Sequence, residues 1–291
     1  MKKMNIFCFG FGQVAKNFIK KIKSKNLKIN LTITSRDKSG KKNFDNLDYE
    51  SFQFSEKFFD KKLIENLKSS DHILISIAPI NGKDIVIKNF QNILENIEAK
   101  WITYLSATSV YGNHNGKWVD ENSKTNPTST NGMDRLSAEK SWLNLAEEKN
   151  LPLQILRLSG IYSNQKNILT RLREGNAKII NKKNQFFSRI HVEDIANILF
   201  YSLQKFKAKE IYNVSDDKPA STEEIILYGS KLLKTKTPET VELSSIESEK
   251  VKNFYKDSKK VNNKKMKEFF NYKLKYPTYI EGLNYIHYNN I

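Results

Sequence analysis

The chain has 291 residues, enough for one large α/β unit with an addition or for two domains. A single cysteine, Cys8, excludes a disulfide framework and any paired-thiol redox or zinc site, and four scattered histidines give no structural metal site. Forty-nine Lys+Arg against 32 Asp+Glu leave a net charge of +17, which taken alone points to a polyanion.

Only six of the 49 are arginine (Arg36, Arg135, Arg157, Arg171, Arg173, Arg189), the residue on which nucleic-acid readers lean for bidentate contacts. The remaining excess is lysine in a chain crowded with Asn and Ile. That is a compositional bias carried on solvated faces, so a nucleic acid is not expected as partner.

At the N-terminus, Met1-Lys2-Lys3 and Ile6-Phe7-Cys8-Phe9 imitate a signal peptide. Gly10 and Gly12 interrupt the apolar stretch and no small-residue cleavage site follows, so it reads as a first strand and a cytoplasmic protein. Further strands are expected over Ile29–Thr34, Ile73–Ile77, Trp101–Leu105 and Leu153–Leu158, separated by helix-length amphipathic stretches. That alternation predicts βαβ units and a parallel sheet covered on both faces. The longest apolar run, His72 to Ile80, is far short of the roughly 20 residues of a membrane span. Residues Asn113 to Asn131 read as a loop, and a helix is expected from about Met133 to Lys149. Later come a strand over Glu210–Val214 and a lysine-dense stretch, Glu247 to Lys267, read as an exposed helical or loop region of a smaller cap.

Phe9-Gly10-Phe11-Gly12-Gln13-Val14-Ala15 follows the first strand and opens a helix. Gly10 permits a tight turn, Gly12 lets backbone approach a pyrophosphate, and Ala15 lets the helix pack closely on the strand. The amides of Gln13 and Val14 then face the phosphates at the positive end of the helix dipole. The fold class this implies is α/β, a Rossmann doubly wound parallel sheet with a smaller C-terminal substrate-binding lobe. The second strand ends in Ser35 and Arg36, where an NAD site would carry a carboxylate for the ribose hydroxyl. A hydroxyl and a guanidinium suit a 2′-phosphate, so NADP is the preferred cofactor and NAD stays open.

Asp71-His-Ile-Leu-Ile-Ser-Ile-Ala78, Tyr104-Leu-Ser-Ala-Thr-Ser-Val-Tyr-Gly112, Leu156-Arg-Leu-Ser-Gly-Ile-Tyr162, Arg189-Ile-His-Val-Glu-Asp-Ile-Ala196 and Ile211-Tyr-Asn-Val-Ser-Asp216 resemble, in order, segments of the extended short-chain dehydrogenase/epimerase family. The closing Lys260-Val-Asn-Asn and Tyr276-Pro…Gly282-Leu are similar to its atypical YeeZ-like subgroup. The resemblance implies a core over residues 1–160, with later strands from about 188–214, and a smaller lobe over 161–187 and 215–291. It also implies a cofactor contact at Ala78, a small-molecule substrate and a homodimer through the helices flanking Asn131–Lys149.

The family works with a tyrosine, a lysine four residues later and a serine or threonine. Here those positions fall on Asn131, Arg135 and Ala107. An amide hydrogen-bonds an oxyanion but donates no proton near neutral pH, and a guanidinium holds a ribose without relaying protons. Ser106 and Thr108 flank the missing hydroxyl; Thr108 and Tyr111 are the candidate replacements, with Asn131 and Arg135 retained as catalytic candidates. Tyr111 also reads as a packing residue, as does Tyr162, while His114 and His191 read as loop and structural histidines. The expected function is an NADP-dependent oxidoreductase or epimerase acting on a hydroxyl or carbonyl of a small metabolite or nucleotide sugar. The alternative is an NADP(H)-binding regulatory protein without turnover.

Overall fold

The computed structural model describes residues 3–289. Strand β1 (Met4–Phe9) buries Phe7, Cys8 and Phe9 completely, as a strand covered on both faces must. Helix α1 (Gln13–Lys23) turns Val14, Ala15, Phe18, Ile19 and Ile22 inward at helical spacing. Its last turn carries Lys20, Lys21 and Lys23, cations that suit the carbonyl end of the helix dipole. Strand β2 (Ile29–Ser35) leads into an antiparallel hairpin, β3 (Gly40–Phe44) and β4 (Leu47–Gln53). Its tip, Asp45 and Asn46, adopts φ of 53° and 56°, the left-handed geometry of a two-residue hairpin turn.

Next come α2 (Leu63–Lys68), β5 (His72–Ile75), α3 (Ile85–Leu94) and β6 (Trp101–Ala107). Strand β5 stops two residues before the expected Ile77, because Ser76 turns its hydroxyl onto the carbonyls of Phe9 and Gly10. A short β7 (Trp118–Val119) precedes α4 (Thr130–Lys149) and β8 (Leu153–Leu158). Helix α4 begins at Thr130, inside the expected loop. Gly132 makes this possible: a Cβ there would lie 2.7 Å from the Ser109 carbonyl and 2.8 Å from Pro127 Cβ.

The remainder comprises β9 (Gly160–Tyr162), α5 (Ile168–Arg173), β10 (Ile179–Asn181), β11 (Arg189–His191), α6 (Val192–Ser202) and β12 (Glu210–Val214). It closes with α7 (Thr222–Leu233), β13 (Thr240–Glu242), α8 (Glu249–Phe254), β14 (Lys260–Val261), α9 (Lys264–Phe270) and α10 (Tyr279–Tyr288). The lysine-dense stretch is less exposed than its charge suggests, since Tyr255, Val261 and Met266 are buried within it.

The chain forms two compact units. The first, 1–106, 134–157 and 195–212, carries a sheet in the order β12-β8-β6-β5-β1-β2-β4-β3, in which β3 pairs antiparallel at the edge. This is the doubly wound Rossmann arrangement, and its strand order reverses between β1 and β5, the place where such sheets take their ligands. Phe7, Phe9, Phe54, Phe90 and Trp142 anchor its core, each worth about 1.5–3 kcal/mol of burial or somewhat more for the indole. The second unit, 107–133, 158–194 and 213–291, contains three two-stranded parallel pairs, β9 with β11, β7 with β14 and β10 with β13. Its apolar cluster joins Tyr162, Leu169, Ile225, Tyr279, Leu283 and Ile286.

Candidate functional site

The glycine turn sits at the end of β1 in the first unit. Gly10 has φ +87°, and a Cβ on it would lie 2.7 Å from Ile77 Cγ2 and 3.0 Å from Ser76 Oγ. Only glycine fits there. Its N–H donates to Thr34 Oγ1 at 3.0 Å, and Ser76 Oγ donates to the Phe9 and Gly10 carbonyls at 3.0 and 3.1 Å. Three strand ends thus fix the turn. Sequence reading alone misses Thr34 and Ser76; a hydroxyl at the end of each neighbouring strand is their signal.

Gly12 is different. It is the extended N-cap of α1, no side chain caps that helix, and a Cβ on it would meet nothing within 4 Å. The first amides of α1, from Gln13 and Val14, therefore stay open beside a bare backbone, as a bound pyrophosphate needs. These residues fit a dinucleotide.

At the end of β2, Ser35 Oγ lies 3.4 Å from Ser51 Oγ and accepts the Asp37 amide at 3.2 Å. Asp37 pairs with Lys42 at 3.2 Å. The Arg36 guanidinium is exposed and has no partner among the described residues, while its carbonyl accepts from Gln53 Nε2 at 3.4 Å. Ala78 stands exposed on the loop after β5.

Arg135 lies on α4, in the first unit. Its guanidinium donates to the Leu105 carbonyl and sits 5.9 Å from the centre of the Tyr104 ring. Tyr104 is fully buried, and burial pushes its hydroxyl well above the usual phenol range. Asp84 caps α3 through the Val86 and Ile87 amides, at 2.9 and 3.1 Å, and accepts Trp142 Nε1 at 3.1 Å. Burial raises the Asp84 carboxyl above its ordinary value, against those hydrogen bonds and the nearby Arg135 charge.

Thr108 begins a one-turn 3₁₀ segment, Thr108–Tyr111, in the second unit and is half-buried. Asn131 is exposed in the first turn of α4, beside Gly132, whose backbone passes against the Ser109 carbonyl. Tyr111 is fully buried and its hydroxyl donates to Asn213 Oδ1 at 2.7 Å, which commits it to packing. His114 Nε2 lies 3.1 Å from both the Tyr111 and Lys124 carbonyls, holding a loop. His191 is completely buried, its Nδ1 accepts the Glu193 amide at 3.3 Å, and burial lowers its pKa to about 4. Tyr162 packs edge-on to His191 with ring centres 5.0 Å apart.

No curated protein matches the sequence. Among solved structures, a functionally unknown conserved protein from Silicibacter pomeroyi is 31% identical, with 98% of each chain covered and a TM-score of 0.85. A dTDP-glucose 4,6-dehydratase from Bacillus anthracis in complex with NAD is 19% identical, with 98% of this chain and 96% of that one covered and a TM-score of 0.77. A UDP-glucuronic acid 4-epimerase from Bacillus cereus in complex with NAD is 16% identical over 99% and 100% of the two chains, with a TM-score of 0.78. The latter two share the fold. The model of the NAD dependent epimerase/dehydratase family matches residues 10–215, from the glycine turn to the end of β12. With that match and the turn geometry in agreement, the chain belongs to the NAD-dependent epimerase/dehydratase family.

Proposed function

We propose that the protein is an NADP-preferring oxidoreductase or epimerase acting on a hydroxyl or carbonyl group of a small metabolite or nucleotide sugar, through an atypical set of side chains. The observation that carries the cofactor choice is the free Arg36 guanidinium at the end of β2, with Asp37 engaged by Lys42. A bound nicotinamide supplies hydride transfer. Gly10, Gly12, Gln13 and Val14 hold the pyrophosphate, Ser35 and Arg36 the 2′-phosphate, and Ala78 borders the cofactor. Arg135 keeps a fixed positive charge at the end of β6, Thr108 offers a hydroxyl to a substrate oxygen, and Asn131 offers amide hydrogen bonds without a transferable proton. A cytoplasmic location and a homodimer belong to the same proposal.

The test is a calorimetric titration with NADPH and NADH on wild type and Arg36→Asp. NADPH is expected to bind more tightly to wild type, and the substitution to weaken NADPH by about tenfold or more while leaving NADH nearly unchanged. Equal loss of both ligands would sink the 2′-phosphate assignment.

A second reading is an NADP(H)-binding protein without turnover. It is favoured by Asn131 standing where the proton donor belongs and by Arg135 being tied to the Leu105 carbonyl. Removing a positioned acid–base group typically costs about 10²–10⁴-fold in rate. Tight NADPH binding with no oxidation by a panel of carbonyl compounds supports this reading over the first.

A further inference from the structure

Strand β4 pairs parallel with β2, and β3, not a helix, lies between them in the chain. Parallel neighbours are ordinarily joined by a helical crossover. Here residues 36–39 carry the chain from Ser35, paired with Gln53, to Gly40, paired with Ser51 from the other side of β4. The segment therefore crosses the carboxyl end of β4, at the end of the sheet where such folds take their ligands. Four hydrogen bonds hold it there. The Phe54 amide donates to the Ser35 carbonyl at 2.7 Å and Gln53 Nε2 to the Arg36 carbonyl at 3.4 Å. The Gln53 amide donates to Ser39 Oγ at 3.0 Å and the Asp37 amide to Ser35 Oγ at 3.2 Å.

The hairpin also sends a side chain onto this crossing. Lys42, on β3, donates from Nζ to Asp37 Oδ2 at 3.2 Å. Its register partner on β4 is Tyr49, and residues directly opposite in a strand pair project from the same face. Phe44, two residues from Lys42, shares that face. The Phe44 and Tyr49 rings lie 5.2 and 5.3 Å from the ring of Phe11, which stands between the two glycines of the turn. Lys42 thus leaves the hairpin on the side that faces the glycine turn and meets Asp37 there. A second carboxylate nearby, Asp60, is spent on the Ser39 hydroxyl and the Lys62 amide. The Lys42 and Asp37 side chains are 34% and 75% exposed, so their pairing adds little to stability. What it changes is the charge that a ligand meets. A free carboxylate at the end of β2 accepts the hydroxyls of an adenosine ribose and repels a 2′-phosphate; a carboxylate neutralised by an ammonium does both less strongly.

We propose that Lys42 is a specificity-determining residue: by masking Asp37 it disfavours a bare ribose and admits a 2′-phosphate. The inference rests on the dinucleotide reading of the turn and deepens it, since the preference then depends on the hairpin as well as on Arg36.

The test is calorimetry on wild type, Lys42→Met and the double variant Lys42→Met with Asp37→Asn, at about 50 mM KCl, where surface charges are weakly screened. The ligands are NADPH, NADH and the fragments 2′,5′-ADP and 5′-AMP, of which only the first carries a 2′-phosphate. Lys42→Met should weaken NADPH and 2′,5′-ADP by about fivefold or more and tighten NADH by about twofold or more. A merely structural contact would weaken all four ligands together. Asp37→Asn, added to Lys42→Met, should return most of the NADPH preference and cancel the gain for NADH. The proposal is overturned if Lys42→Met leaves the ratio of NADPH to NADH affinity unchanged. It is also overturned if Asp37→Asn fails to restore that ratio, the mark of a lysine that contacts the phosphate directly. Equal binding of NADPH and NADH by wild type would refute the 2′-phosphate reading alone; masking would still stand if Lys42→Met tightens NADH and Asp37→Asn cancels the gain. Absence of binding for all four ligands would overturn both.

Discussion

Two glycines one residue apart carry different loads. Gly10 is held at φ +87° between Ser76 and Ile77, so Gly10→Ala should destabilise the fold by about 1–3 kcal/mol through strain and overlap. At Gly12 the backbone is extended and an added Cβ meets nothing, so Gly12→Val should leave the melting temperature nearly unchanged. Its side chain would instead stand over the open amides of α1 and lower dinucleotide affinity by about tenfold or more. Thermal melts and NADPH calorimetry on both variants check the pair; full NADPH affinity in Gly12→Val would refute the assignment of the turn.

His191 offers a residue-level pH test. Burial lowers its folded pKa to about 4, whereas an unfolded histidine titrates near 6.5. Between those values the unfolded chain binds a proton that the folded chain does not, so stability from this residue is full at neutral pH and falls on acidification. The loss amounts to about 3 kcal/mol by pH ~4. Asp84, Asp194 and Asp216 have raised carboxyls and act in the opposite direction, so the measurement must be a difference. His191→Asn keeps an acceptor for the Glu193 amide and removes the titration. The stability advantage of wild type over this variant should shrink by about 3 kcal/mol from neutral pH to pH ~4 in chemical denaturation. A constant advantage would contradict the burial argument.

At the scale of elements, α4 is pinned to β8 by a buried ion pair. Arg157 Nη2 donates to Glu139 Oε2 at 2.7 Å, Nε also reaches the carboxylate, and the two side chains are 5% and 1% exposed. Removing one partner strands a buried charge, so Glu139→Ala should cost about 3–5 kcal/mol. Replacing both, Glu139→Leu with Arg157→Met, should cost far less, because packing substitutes for the pair. Urea unfolding of the single and double variants decides this; equal losses would mean that the pair does not act as a unit.

The same elements show what was legible in the sequence. Strands β1, β5, β6 and β8 are near-continuous apolar runs, and burial on both faces writes that pattern directly. The β3–β4 hairpin was not legible, because Lys41, Lys42, Asn43, Asp48 and Glu50 break any apolar alternation and only Ser51 and Phe52, near the end of β4, are buried. Asp45-Asn46 is its one local signal. Gly10 and Gly12 could be read from spacing alone, but the hydroxyls that lock the turn, Thr34 and Ser76, come from strands distant in sequence. Tyr111 could not be assigned without Asn213, 102 residues away. In the second unit, short strands and lysine-rich helices hide the buried positions Tyr255, Val261 and Met266.

For the whole molecule, the question is what a net charge of +17 does. The scarce arginines are largely spent internally: Arg135 on the Leu105 carbonyl, Arg157 on Glu139, Arg171 on the Asn176 carbonyl, and Arg189 on the Phe187 and Ala220 carbonyls. The lysines pair with carboxylates mostly in exposed, single contacts such as Lys68–Glu65, Lys252–Glu249 and Lys264–Glu268. Each such pair contributes only about 0–1 kcal/mol, and salt weakens it further. Against these stands the mutual repulsion of the unpaired excess, which destabilises the compact state and is also screened by salt. Because attraction is small and local while the excess charge is large, screening the repulsion should dominate. Raising KCl from about 20 mM, with a Debye length near 20 Å, to about 300 mM, where it is near 6 Å, should therefore raise the first melting temperature by roughly 2–4 °C. A fall over that range would mean that the lysines are arranged in stabilising networks rather than spread as solvated surface charge.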